Sequence, residues 1–161
     1  MKKISKGFSL IELLIVVAII LIIAAIAIPN LLRSRIAANQ ASAVGSLRTL
    51  NTAEITYSST YNVGFTATLT YLGPPASATT NPTSTAAGLI DSILSNGAKS
   101  GYSFTYTPGA SDSTGRINQY TFIAVPITSS TGTNYYFTDQ SGVIRQNSTT
   151  TAVATDSPIA G

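Results

Sequence analysis

Lys6-Gly7-Phe8-Ser9-Leu10-Ile11-Glu12-Leu13-Leu14, continuing to Leu32 without another charge, is the stretch on which the fold turns. From Leu13 to Leu32 no side chain is charged. A helix of that length spans about 30 Å, the thickness of a bilayer's hydrocarbon core. The residues before it, Met1-Lys2-Lys3-Ile4-Ser5-Lys6, are short and basic, and Arg33 and Arg35 follow it. Both flanks are basic, so the positive-inside rule leans only on three lysines against two arginines, toward a cytoplasmic N-terminus.

Three kinds of segment share this outline. One is a secretory signal peptide with Ala25-Ile26-Ala27 as a small-x-small cleavage site. Another is a plain single-span anchor, and the third is a precursor cut before its apolar stretch. Glu12 discriminates among them. A carboxylate inside an apolar span costs about 2.5 to 3.5 kcal/mol at the helix centre and less near the interface. Neither a signal peptide nor a simple anchor has a use for it. Its best partner is an α-amino group at Phe8, released by a cut after Gly7. Phe8 and Glu12 are four residues apart, about 6 Å along one helix face. The amine of one chain can then meet Glu12 of a shifted neighbour, or its own Glu12 before assembly.

Lys6-Gly7-Phe8-Ser9-Leu10-Ile11-Glu12-Leu13-Leu14 resembles the motif read by prepilin peptidase. Its continuation through Ile15-Val16-Val17-Ala18-Ile19-Ile20 and Ala24-Ala25-Ile26-Ala27-Ile28-Pro29-Asn30 is similar to type IVa pilins and to the pseudopilins of type II secretion. The resemblance covers roughly the first fifty residues. It implies an α+β pilin fold: a long N-terminal helix with a small antiparallel sheet packed on its C-terminal half. It implies that Gly7 precedes the cut, that Phe8 is the N-methylated first residue, and that Glu12 pairs with a neighbour's N-terminus during assembly. The implied partners are a homo-oligomeric helical filament, a prepilin peptidase and methyltransferase, an inner-membrane assembly machinery, and the bilayer before assembly. Adhesion, motility or DNA uptake would be properties of the polymer. Pseudopilins that drive protein export are the alternative, and a membrane-anchored binding module that never polymerises is a further one. Many family members carry Gly where this chain has Leu21, and Leu favours helix by up to about 1 kcal/mol. Pro29 removes one helical hydrogen bond, which predicts a kink or melted turn just before it.

The expected divisions are a leader over 1–7, an apolar helix over 8–32, an amphipathic helical half over 33–62 and a β-rich head over 63–161. Composition agrees with a membrane segment joined to a small polar domain: charged residues are only 9% of the chain, against about 25% in typical soluble domains. Cys and His are absent, which removes thiol nucleophiles, Cys/His zinc sites and histidine acid–base chemistry. The acids other than Glu12 are scattered and no glycine-rich phosphate loop is present, so the residues argue against an enzyme and call for no cofactor. The net charge of +3 comes from Lys2, Lys3 and Lys6; without them six basic residues face six acidic ones. A nucleic-acid reading built on the overall charge is therefore weak, and nucleic-acid binding is left open.

Beyond Pro29, Val44, Leu47, Leu50, Ala53, Tyr57 and Tyr61 recur at helical spacing, with Arg35, Asn39, Gln40, Ser46 and Asn51 off that stripe. Helix from Phe8 to Tyr61 would run about 80 Å. Tyr57 and Tyr61 are read as packing under the sheet in preference to an electron-transfer stack or a ligand face. Arg33, Arg35 and Arg48 are read as solvated or paired with neighbouring subunits. In the head, strands are expected over 65–72, 102–107, 120–127 and, as a hairpin around Asp139-Gln140-Ser141-Gly142, over 135–138 and 143–146. A short helix is expected over 86–94, and a loosely ordered tail over 147–161. The hairpin resembles that of a subset of pilin-like proteins. Asp139 is read as capping its turn and not as a calcium ligand, because one acid beside Gln140 and Ser141 falls short of an oxygen cage. Asn147-Ser148-Thr149 fits a glycosylation sequon that is common by chance.

Overall fold

The computed structural model describes residues 8–77 and 79–159. In chain order its elements are α1 (Leu10–Tyr61), a 3-10 turn (Leu69–Leu72), α2 (Ser92–Ser95), β1 (Ala98–Lys99), β2 (Tyr102–Pro108), β3 (Tyr120–Pro126), β4 (Tyr135–Asp139) and β5 (Arg145–Asn147). This is the α+β architecture expected of a pilin fold. The chain divides after Arg35 into two compact units.

The first unit is apolar helix. From Phe8 to Arg35 every side chain is exposed except Ala24, which is partly covered. Residues 21–30 are helical with Pro29 inside the helix. The expected melted turn is therefore absent from this subunit. Pro29 deprives the carbonyl of Ala25 of its donor, but the surrounding Leu, Ile and Ala residues keep the other bonds of the ladder.

The second unit is built on helical residues from Ile36 to Tyr61. Ala43, Ser46, Leu47, Leu50, Asn51, Ala53, Glu54 and Tyr57 are buried, and Val44 and Tyr61 pack partly against the same core. The stripe is thus wider than its apolar positions, since Ser46 and Asn51, expected outside it, are covered. Against it lies a five-stranded antiparallel meander in the order β1-β2-β3-β4-β5. Alternation sends Tyr102, Phe104, Tyr120, Phe122 and Ala124 inward. The β4–β5 hairpin has the predicted turn: Gly142 N–H donates to Asp139 O at 2.9 Å, with Gly142 at φ 73°.

Three head elements differ from expectation. Residues 65–72 form no strand, because Thr66, Leu69 and Leu72 are buried at a spacing of three and the last four residues wind as 3-10 helix. Helix is confined to Ser92–Ser95, because Gly88 sits at φ 66° and Asp91 caps the turn by accepting from Ile93 and Leu94 N–H. The tail is not loose. Asn147 Nδ2 donates to Asp156 Oδ1 at 3.1 Å, Arg145 Nη1 to Asp156 O at 2.9 Å, and Ala152 is fully buried.

A buried polar seam ties α1 to the head. Asn51 Nδ2 donates to Thr138 Oγ1 at 2.9 Å, and Tyr120 OH donates to Asn51 Oδ1 at 3.1 Å. Glu54, with no exposed surface, accepts from Thr66 N–H at 3.0 Å and from Thr66 Oγ1 at 2.6 Å. Tyr106 OH donates to Thr66 O at 2.6 Å. These bonds take the main chain of Thr66 out of any strand ladder. Burial pushes the Glu54 carboxyl above its ordinary range, against the opposing pull of the Thr66 bonds. Burial, then the Glu54 charge, pushes the Tyr106 hydroxyl up as well.

A raised carboxyl stabilises the fold fully below its unfolded pKa of about 4.3, and that contribution is lost as pH rises through the folded value. Thermal unfolding of the full chain in detergent, followed by near-ultraviolet circular dichroism, should therefore show stability falling above that pH. Glu54→Gln should flatten the dependence. Glu54→Ala, which strands two Thr66 donors, should cost about 1 to 3 kcal/mol for each.

Candidate functional site

The residues singled out for chemistry lie at the start of α1. Gly7 is outside the described residues. Phe8 is 80% exposed. Leu13 N–H donates to Ser9 O at 3.2 Å, which closes the first helical turn and makes Ser9 the N-cap. Glu12 is the third residue of the helix. Its Oε2 accepts from Ser9 N–H at 3.0 Å, the back-reaching half of a capping box. Glu12 therefore serves as a helix cap within its own chain. The signal is legible in the spacing Ser9-x-x-Glu12, which reading Glu12 only as a charge in lipid passes over.

Around this acid the helix offers only apolar surface. Leu10, Ile11, Leu13 and Leu14 are between 59% and 76% exposed, and large exposed apolar side chains continue through Leu32. The helix is long and apolar enough to cross a membrane. Among the described residues nothing covers this surface, and a contiguous apolar face of this size is the kind that a bilayer or partner subunits bury.

The other singled-out residues take structural places. Tyr57 is buried beneath the head and its OH donates to Ser84 O at 2.7 Å; Tyr61 packs beside it with ring centroids 4.9 Å apart. Asp139 Oδ1 accepts from Ser141 N–H at 2.8 Å, the turn-capping role. Among the described residues no three Asp or Glu side chains cluster in a way that would hold a metal ion. The one ion pair among them is Lys99–Asp91 at 2.7 Å, so Arg33, Arg35 and Arg48 have no carboxylate partner within the described residues. The Asn147 amide of the sequon is held by Asp156, and its oxygen accepts from Thr149 and Thr150 N–H. Glu54 is the functional-type residue that the sequence did not single out. Its place four residues after Leu50 on the packed face was the available signal.

The family described as the prokaryotic N-terminal methylation motif matches residues 2–28. The type IV major pilin protein PilA of Myxococcus xanthus is 52% identical over 50 residues, covering 31% of this chain and 23% of that protein. The type IV wide pilus major component PilA4 of Thermus thermophilus is 69% identical over 35 residues, 22% of this chain and 27% of that protein. The matched segments thus span about a quarter of the length of these curated relatives. No solved structure matches the chain. Set beside the uncovered helix and its single acid, these matches show that the chain carries the N-terminal methylation motif of prepilins, on a segment similar to type IV major pilins.

Proposed function

We propose that this protein is a structural subunit of a type IV pilus, held in the inner membrane as a single-pass precursor and polymerised through its N-terminal helix. The observation that carries the reading is the apolar surface from Leu10 to Leu32, left uncovered among the described residues and interrupted by one acid, Glu12, inside the matched methylation motif. Residues 1–7 are the leader, cut between Gly7 and Phe8, and the new Phe8 amine is methylated. The apolar helix over 8–32 rests in lipid and then in the filament core, while the head over 63–161, seated on the helical half over 33–62, faces outward.

Assembly on this reading exchanges lipid for neighbouring helices around Glu12. A carboxylate in hydrocarbon is costly, and the amine of a neighbouring Phe8 neutralises it. Adhesion, motility and DNA uptake are properties of the polymer and need no catalytic residue in the subunit.

Intact mass of the purified protein should show loss of residues 1–7 and gain of one methyl group; a cut after Ala27 would sink the reading. Electron microscopy of sheared surface material should show long filaments, where a short periplasmic pseudopilus or a membrane monomer would yield none. Glu12→Ala should leave the subunit in the membrane but lower filament yield by roughly a hundredfold, as expected for stranding one member of a buried ion pair. Normal filaments from that variant would remove Glu12 from its role.

A further inference from the structure

We propose that Ser9 is a positioning residue for the Glu12 contact: its main-chain N–H holds the carboxylate in place before a neighbouring copy arrives. The inference rests on the filament reading above and deepens it. Glu12 Oε2 accepts from Ser9 N–H at 3.0 Å, while Oε1 has no hydrogen-bond partner among the described residues. An ionised carboxylate accepts at about four lone-pair positions, so one bond to Ser9 leaves capacity for an incoming amine.

The geometry favours this division of labour. A glutamate side chain has three rotatable bonds. Here its neighbours Leu10, Ile11 and Leu13 are exposed apolar residues with no polar group to restrain it. The bond to Ser9 turns the carboxylate back toward the end of the helix at which a cut after Gly7 would release the Phe8 amine. It also answers a need of its own, because the first N–H groups of a helix lack intrahelical partners and cannot find water in hydrocarbon. The ordering entropy of Glu12 is thereby spent within the monomer, and docking meets a fixed carboxylate. The hydroxyl of Ser9 donates no hydrogen bond among the described residues, so the proposal assigns the work to the main chain and not to the side chain.

Three full-length variants separate the parts. Ser9→Ala keeps the N–H and should assemble like the wild type. Ser9→Pro removes the N–H while keeping the Glu12 charge, and should lower filament yield per membrane-inserted, cleaved subunit by roughly tenfold, the size of one side chain's ordering entropy. Glu12→Gln keeps an acceptor for Ser9 but loses the charge. Amide hydrogen exchange in detergent should therefore find Ser9 N–H protected in the wild type and in Glu12→Gln, and unprotected in Glu12→Ala. A cap that only stabilises the helix predicts normal filament yield from Ser9→Pro, and that result overturns the proposal. So does equal exchange at Ser9 in the wild type and Glu12→Ala, a reading that stands even if the proline variant escapes processing. If the wild type itself forms no filaments while Ser9 is protected, the filament reading has failed and not the cap.

Discussion

A helix lodged in hydrocarbon must satisfy its backbone polar groups from within, and the first unit of this protein follows from that constraint. It favours helix through Pro29, since each further opened bond would leave a donor and an acceptor with nowhere to turn. It also explains why Glu12 bends back to Ser9. Moving such a helix from lipid to a bundle of like helices changes its apolar contacts little, because lipid tails are as apolar as Leu and Ile. On the filament reading, the apolar surface supplies cohesion without register, and one polar contact per subunit supplies the register.

The head solves the same problem by different means. Its helix face could have been closed with aliphatic side chains, yet Asn51 and Glu54 sit in it beside Leu47, Leu50 and Tyr57. Leu50 and Ala53 would tolerate a small shift of the sheet along the helix. Asn51 and Glu54 would not, because Asn51 is bonded to Thr138 and Tyr120, and Glu54 to Thr66. Buried polar groups of this kind specify one arrangement at some cost in stability.

Most of the architecture was legible in the sequence. The helix from Leu10, the paired strands over 102–108 and 120–126 and the turn at Asp139–Gly142 all follow from local pattern and turn chemistry. The misreadings share a cause. Residues 65–72 alternate like a strand, but Glu54 claims Thr66 from across the fold. The tail over 147–159 looks loose because its residues are small and polar, yet Asp156 collects it from three directions. Asn51 reads as a surface residue until its partners at Tyr120 and Thr138 are in place. At the start of α1 the apolar run and its acid were plain, while the cap, written in the spacing Ser9-x-x-Glu12, was masked by a charge that points to distant partners.

The return of the tail has a consequence for the edges of the sheet. Gln146 N–H donates to Ser157 O at 3.0 Å, Ile159 N–H to Ile144 O at 2.9 Å, and Pro158 forms a bridge with Arg145. The outer margin of β5 is thus occupied by residues 157–159, with a proline set in it. At the opposite margin β1 is only two residues long. Among the described residues, the β5 edge is thus covered by returning chain and the opposite edge strand is very short, two of the devices that blunt edge-to-edge pairing. On the filament reading, such edges disfavour strand addition between neighbouring heads, and association is left to the helices.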